Sequence, residues 1–368
     1  MGLFADALSV SDYRNFKSYE LELSHGVTIL LGKNAAGKTN LVEALELLTS
    51  AQSFRRPRCA QLIREGAESA RIALEITGDG RVLDFEMRAG TKNKTFFKNG
   101  KKASAADVRG TLPCVLFCPD HLDLIKGSAA LRRRELDDFG VQISKNFADL
   151  KKRYETALQQ RNSLIRNDNP SPSLIDSFDI VLAELAASLL HWRLRLLDRL
   201  RPYVVDAYAS IADGEIADVT YMSSLLADSM RNLEGRELQK ALAERMLSML
   251  ADAREEDLHR GYTTVGPHRD ELEFYISGRL ARDFASQGQQ RSLVLAWKIA
   301  EVRVVADILG SQPLLLLDDV MSELDGDRRA AFLQFVEGRI QTVITTTNLS
   351  YFTKSVLEQA KVVEVHAV

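Results

Sequence analysis

The stretch Gly32-Lys33-Asn34-Ala35-Ala36-Gly37-Lys38-Thr39 leaves this chain few ways to fold. It follows the apolar run Val27 to Leu31 and precedes a helical run from Asn40 to Leu48, so it reads as strand, glycine loop and helix. The pattern G-x4-G-K-S/T cradles phosphate. Its two glycines let the backbone turn successive N–H groups toward the phosphates, and the helix opening at Lys38 adds its positive end. Lys38 would reach the β and γ phosphates and support their chemistry, while the Thr39 hydroxyl would hold Mg²⁺. Lys33, Asn34, Ala35, Ala36 and Asn40 complete the expected cradle.

Residues 1 to 120 otherwise read as mostly β. Tyr19 to Leu23 alternates apolar and polar residues, which predicts an antiparallel strand beside the strand that feeds the glycine loop. Arg71 to Ile76 and Val82 to Met87 alternate around the turn Gly78-Asp79-Gly80. Thr95 to Lys98 ends at Asn99-Gly100, a hairpin turn signal, and Pro113 to Phe117 is a short apolar strand. The middle of the chain is helical. Phe147, Leu150, Tyr154, Leu158 and Ile165 recur at helical spacing, as do Leu174, Phe178, Val181, Leu185 and Leu189, so both stripes are expected in a core. Pro170, Pro172 and Pro202 punctuate these helices, and 167–170 is a loop. Glu234 to Ala253 is a further helix.

From Leu272 onward β returns: Leu272, Phe274 and Ile276 alternate, then a helix runs from Gln290 to about Leu309. A buried strand at Leu314 to Leu317, a helix near Asp327 to Glu337, and strands at Thr342 to Thr345 and Val362 to Val365 complete the chain. Strands alternating with helices imply a parallel sheet covered on both faces. The expected class is α/β, a nucleotide-binding lobe with a mixed sheet at 1–124 and 256–368, and a helical lobe inserted at 125–255.

Two further stretches bear on chemistry. Leu314 to Leu317 delivers Asp318 and Asp319 at a strand end, where open α/β sheets bind their ligands. Asp318 would hold Mg²⁺ opposite Thr39, and Asp319 would stand beside the attacking water as general base. Ser286-Gln287-Gly288-Gln289-Gln290-Arg291 opens the long helix with a serine, a glycine and a free helix N-terminus, a second anion-binding arrangement. One nucleotide needs one phosphate loop. A second site on the same chain makes sense where Ser286, Gly288 and Gln289 cap the nucleotide of another copy, with Ser322-Glu323-Leu324-Asp325 lining the junction.

These pieces resemble the ABC-type ATPases, and within them the RecF family of SMC-head-like bacterial proteins. The resemblance runs nearly end to end. It includes Arg14-Asn15-Phe16, Gly32 to Leu41, Phe117-Cys118-Pro119-Asp120, Arg161-Asn162, Gly266 to Leu272, Ser286 to Arg291 and Leu317 to Asp325. It implies an ATP- and Mg²⁺-dependent dimer that binds single- and double-stranded DNA at gap junctions in recombinational repair and replication. A RecR-type mediator partner, loading of RecA recombinase and a link to the SOS response come with it. Two departures imply slow, DNA-stimulated hydrolysis serving as a binding switch. Asp319 stands where most of the superfamily has Glu, and Thr346-Thr347-Asn348 stands where a histidine commonly meets the γ-phosphate. Tyr13, Arg14 and Phe16 are candidates to approach the adenine or phosphates; His268 is left without a role.

Composition narrows the remaining readings. With 45% hydrophobic and 27% charged residues the chain is of ordinary globular type, and no apolar run reaches the ~18 residues of a membrane span. No secretion signal is visible, and three cysteines without C-x-x-C spacing suit a reducing cytoplasm. The net charge of −3 does not announce a nucleic-acid binder, but basic residues clump at Arg55, Arg56 and Arg58, at Lys92 to Lys102, at Arg132 to Arg134, at Lys151 to Arg153 and at Arg193 to Arg201. An ABC transporter ATPase is the alternative. The long helical stretch between Thr39 and Ser286 argues against it, and a P-loop kinase would have no use for Ser286 to Arg291.

Overall fold

A computed structural model describes residues 2–167, 171–212, 214–336 and 340–366. Two compact units emerge. One holds Met1–Asp123, Asp206–Gly214 and Gln287–Val368, the other Leu124–Val205 and Glu215–Ser286.

The first unit contains two sheets. The strands Val27–Leu31, Cys114–Phe117, Leu314–Asp318 and Thr342–Thr346 are short and buried along almost their whole length. Such runs suit a parallel sheet covered on both faces. With Lys361–Glu364 they form a five-stranded, wholly parallel sheet, ordered 361–364, 27–31, 342–346, 314–318, 114–117. The second sheet has six antiparallel strands, ordered Phe16–Glu22, Phe4–Tyr13, Ala70–Gly78, Arg81–Ala89, Lys94–Lys98 and Lys101–Ala103. Helix Lys38–Thr49 touches strands of both sheets, and all its residues but Thr39 and Asn40 are buried. Gln341 ties the sheets further. Its amide accepts from Ala5 N at 2.8 Å and donates to Ala5 O at 2.6 Å.

Several local expectations change here. The strand around Tyr19 does not lie beside Val27–Leu31; it pairs with Phe4–Tyr13 in the other sheet. That partner strand carries a bulge between Ala5 and Ala7, which breaks the two-residue alternation that would have marked it. Asn99 and Gly100, both left-handed at φ 49° and 72°, join Lys94–Lys98 to Lys101–Ala103 as the turn signal predicts. The long helix starts at Gln287, three residues early, and the following helix spans Gly326–Val336, with Glu337 outside the described residues.

The second unit is built on helices Ala129–Ile143, Lys145–Ile165, Pro172–Ile211 as far as Val205, Gly235–Asp252 and Arg254–Arg260. It also holds a three-stranded sheet, Arg279–Leu280, Glu271–Ile276 and Ala217–Met222. That pairing draws residues 256–286 into this unit, whereas the sequence reading returned them to the nucleotide-binding lobe. Pro202 does not end its helix. Burial of Leu196, Leu197, Leu200 and Val204 around it offsets the one lost backbone hydrogen bond. The stripe at Leu174 and Val181 is exposed, and Ile175, Leu182 and Ala186 face the core instead. Of the expected 167–170 loop, residues 168–170 lie outside the described ones.

Candidate nucleotide site

The glycine loop is shaped by two left-handed residues, Ala35 at φ 64° and Gly37 at φ 102°. Gly37 is the helix N-cap, and a Cβ there would lie 2.5 Å from the Phe16 ring and 2.7 Å from Asn15 Nδ2. Only glycine fits. No side chain caps helix Lys38–Thr49, and while Asn40 N donates to Gly37 O, the N–H groups of the first turn face an anion site. Lys38 turns back into the loop, where Nζ donates to Gly32 O at 2.7 Å and Lys33 O at 2.9 Å. Burial lowers its pKa, and Asp319 and Asp318 oppose that shift. An ammonium held among carbonyls beside two acids is poised to exchange those bonds for phosphate oxygens.

Asp318 ends the strand Leu314–Asp318, one strand removed from Val27–Leu31, and Asp319 follows it directly. Thr39 Oγ1 donates to Asp318 Oδ1 at 2.9 Å, and Thr345 Oγ1 donates to the same oxygen at 2.9 Å. Burial raises the Asp318 pKa; the hydrogen bonds from Thr345 and Thr39 pull the other way. A carboxylate and a hydroxyl converging beside the loop form an all-oxygen donor set, the kind a hard cation such as Mg²⁺ takes. Asp319 is left-handed at φ 54°, and its N–H donates to Thr345 Oγ1 at 2.8 Å. Thr345 therefore positions both acids. Sequence reasoning placed its strand and gave the residue no role, although a threonine pair ending an apolar strand is a visible signal.

Asn15 is a second omission. Asn40 Nδ2 donates to Asn15 Oδ1 at 2.7 Å, and Asn15 Nδ2 reaches Ala36 O at 3.4 Å, so the side chain braces the loop against the helix. Its neighbours turn to Glu43 or into the core. Tyr13 and Phe16 are fully buried, and Tyr13 OH donates to Glu43 Oε2 at 2.9 Å. Arg14 forks onto the same buried carboxylate, Nε to Oε2 at 2.9 Å and Nη2 to Oε1 at 2.7 Å. These three residues support the helix rather than the adenine or phosphates.

Ser286 lies just ahead of helix Gln287–Leu309, and this region makes a separate set of contacts. A Cβ on Gly288 would meet the Arg328 guanidinium at 3.0 Å, and Arg328 Nε donates to Ser292 Oγ at 2.6 Å. Arg291 pairs with Glu323 at 2.7 Å, and Arg329 donates to Leu324 O at 2.6 Å. The start of the helix and the 322–325 loop are thus one assembly. Gln289 is partly exposed on the first turn.

Other motif residues turn out to be internal supports. Arg161 is completely buried, with Asp179 at 2.5 Å, Asp257 at 2.7 Å and Thr263 Oγ1 at 2.7 Å. His268 has both ring nitrogens engaged, by Tyr154 OH at 2.7 Å and Thr263 O at 3.0 Å, and burial pushes its pKa down to about 4. It is a neutral structural residue. The basic clumps divide as well. Arg132 and Arg193 are buried in ion pairs with Glu271 and Asp137, while Arg55, Arg56, Arg58, Lys92, Lys101 and Lys102 are exposed.

Comparison with known proteins finds relatives along almost the whole chain. The RecF/RecN/SMC N-terminal domain matches residues 5–367. The DNA replication and repair protein RecF of Gloeobacter violaceus is 36% identical, over 99% of this chain and 97% of that protein. Its counterpart in Heliobacterium modesticaldum is 38% identical, over 98% and 97%. A solved structure of the recombination mediator protein RecF-ATP in the RecFOR pathway superposes with a TM-score of 0.88 at 30% identity, covering 96% of this chain and 94% of that one. An Smc head bound to the C-winged helix domain of ScpA shares the fold, with a TM-score of 0.55 at 16% identity over 95% of this chain and 90% of that one.

Proposed function

The chain belongs to the RecF family of DNA replication and repair proteins, and on that premise we propose that it is an ATP-gated DNA clamp acting in recombinational repair and replication. The observation that carries this reading is the 2.9 Å contact between Thr39 and Asp318, which joins the phosphate loop to the acid-bearing strand. ATP sits on the uncapped helix and its loop, with Lys38 moved from the Gly32 and Lys33 carbonyls onto phosphate oxygens. Thr39 and Asp318 hold Mg²⁺, which supplies charge neutralisation at the phosphates. Asp319 orients or deprotonates the attacking water. Its carboxylate is one methylene shorter than that of Glu and stands farther from the water, which fits slow, DNA-stimulated turnover.

The site is half of a composite. Ser286, Gly288 and Gln289 of a second copy close over the nucleotide, so ATP holds a homodimer together and hydrolysis releases it. The exposed cations Arg55, Arg56, Arg58, Lys92, Lys101 and Lys102 give phosphate-directed affinity for single- and double-stranded DNA, including their junctions at gaps. The protein works in the cytoplasm with a RecR-type mediator, helps load RecA and so joins the SOS response. None of the described helices is long and apolar enough to cross a membrane, and the long stretch between Thr39 and Ser286 supports this reading over a transporter ATPase. The test is binding of a gapped duplex with and without ATP. Binding that needs ATP and is lost in Lys38→Ala supports the clamp, whereas ATP-independent binding of equal strength overturns it.

A further inference from the structure

Thr345 carries one hydroxyl into the space between two consecutive acids. Oγ1 donates to Asp318 Oδ1 at 2.9 Å and accepts from the Asp319 N–H at 2.8 Å. A hydroxyl has a single proton, so that proton lies toward Asp318 and a lone pair meets Asp319. Thr345 is fully buried on the strand Thr342–Thr346, where β-branching leaves its side chain little rotational freedom. The hydroxyl is held where it stands.

Asp319 needs that hold. Its φ of 54° is left-handed, a region that L side chains enter at a cost. Two hydroxyls brace it there: Thr345 accepts from its N–H, and Ser322 Oγ donates to its carbonyl at 2.9 Å. Successive strand residues face opposite sides, so two consecutive acids serve one centre only where the strand breaks between them. The strand ends at Asp318. Burial lowers the Lys38 pKa, and both carboxylates raise it, Asp319 more than Asp318, so both acids bear on the one ammonium. We propose that Thr345 is a positioning residue for hydrolysis, its hydroxyl holding Asp319 in the left-handed turn that brings the second acid to the phosphate loop. The assignment rests on the role proposed above for Asp319. Hydrolysis joins a water oxygen to the γ-phosphorus and breaks the bond to the bridging oxygen of the departing ADP, and the water's proton passes to Asp319. Thr345 takes no part in these exchanges and acts through the acid it holds.

The experiment compares wild type with Thr345→Val, which keeps the shape and removes the hydroxyl, Thr345→Ser, which keeps the hydroxyl, and Thr345→Cys, whose thiol bonds weakly. One readout is amide hydrogen exchange across residues 314–325 without nucleotide. The other is single-turnover hydrolysis at saturating Mg²⁺ and ATP with a gapped duplex. Thr345→Val should exchange the Asp319 amide about tenfold faster and hydrolyse ATP about tenfold more slowly, the scale of one lost hydrogen bond. Thr345→Ser should match wild type in both, and Thr345→Cys should fall between. ATP affinity without Mg²⁺ should be the same in all four. Where Thr345→Val does not fold, Thr345→Cys against Thr345→Ser carries the same comparison. Wild-type hydrolysis in the variant without a strong hydroxyl bond overturns the proposal. So does a loss of Mg²⁺-free ATP affinity equal to the loss of rate, because that marks a general distortion of the site. Asp319→Asn measured alongside separates the two levels: if it hydrolyses ATP at the wild-type rate, the role of Asp319 itself fails, a result distinct from failure at Thr345.

Discussion

Thr39 Oγ1 and Asp318 Oδ1 lie 2.9 Å apart although 279 positions separate them in the chain. The contact brings the first residue of the phosphate-binding helix that is not buried onto the tip of a buried strand, with Thr345 holding the same carboxylate oxygen from the strand between. A buried acid with two hydroxyl donors and a raised pKa is stored at a cost to the free protein.

That cost has a sign that can be checked. A carboxyl whose pKa is raised on folding binds its proton more tightly in the native state, so stability of the free protein gains as pH falls toward the raised value. Asp318→Asn should therefore raise the melting temperature of the nucleotide-free protein at neutral pH and flatten its acid dependence. Magnesium-dependent ATP affinity should move the opposite way, lost in Asp318→Asn and falling on acidification in wild type. Calorimetry of both proteins from neutral pH down through the ordinary carboxylate range reads the two effects separately.

Lys38→Ala should weaken ATP binding by at least tenfold, the scale of one charge-assisted hydrogen bond, while leaving the circular dichroism spectrum unchanged. Unaltered affinity in titration calorimetry would remove Lys38 from the site.

Arg14 should matter to stability and hardly to nucleotide chemistry. Its guanidinium forks onto Glu43, whose side chain is fully buried, so Arg14→Ala should cost about 3 kcal/mol in urea unfolding. ATP affinity of the folded fraction should stay within about twofold of wild type, a difference below 0.5 kcal/mol. A large loss of affinity with normal stability would return Arg14 to the ligand.

The difference between Arg14 and Lys38 marks how far the sequence could be read. Lys38 belongs to a pattern whose spacing carries its own mechanism, and the strand bearing Asp318 is legible as an apolar run that ends in acids. Arg14 carries no such spacing, and only its partner Glu43, a buried carboxylate on the facing helix, explains it. The strand Phe4–Tyr13 was hidden by its bulge, and Thr345, although its threonine run is visible, gains its role only from lying beside the strand that carries Asp318, a pairing that no local pattern reveals. Long-range pairing also decided where residues 256–286 belong, since Glu271–Ile276 joins the strand Ala217–Met222, a partner that no local pattern reveals.

Binding of a gapped duplex should be steeply salt-dependent, because the exposed cations Arg55, Arg56, Arg58, Lys92, Lys101 and Lys102 displace counterions from phosphates. Log affinity should fall linearly with log salt between about 50 and 200 mM, and Lys101→Ala with Lys102→Ala should reduce the slope. A slope unchanged in the double variant would move the interface elsewhere.

The composite site is tested most directly by native mass measurement with ATP on Asp319→Asn, alone and combined with Ser286→Arg. Asp319→Asn keeps the phosphate loop and stalls hydrolysis, so a mass of two chains carrying two ATP molecules is expected. Adding Ser286→Arg should return the protein to one chain with one ATP bound. A double variant that still forms the two-chain species, or an Asp319→Asn protein that stays single at saturating ATP, would contradict a nucleotide shared between copies.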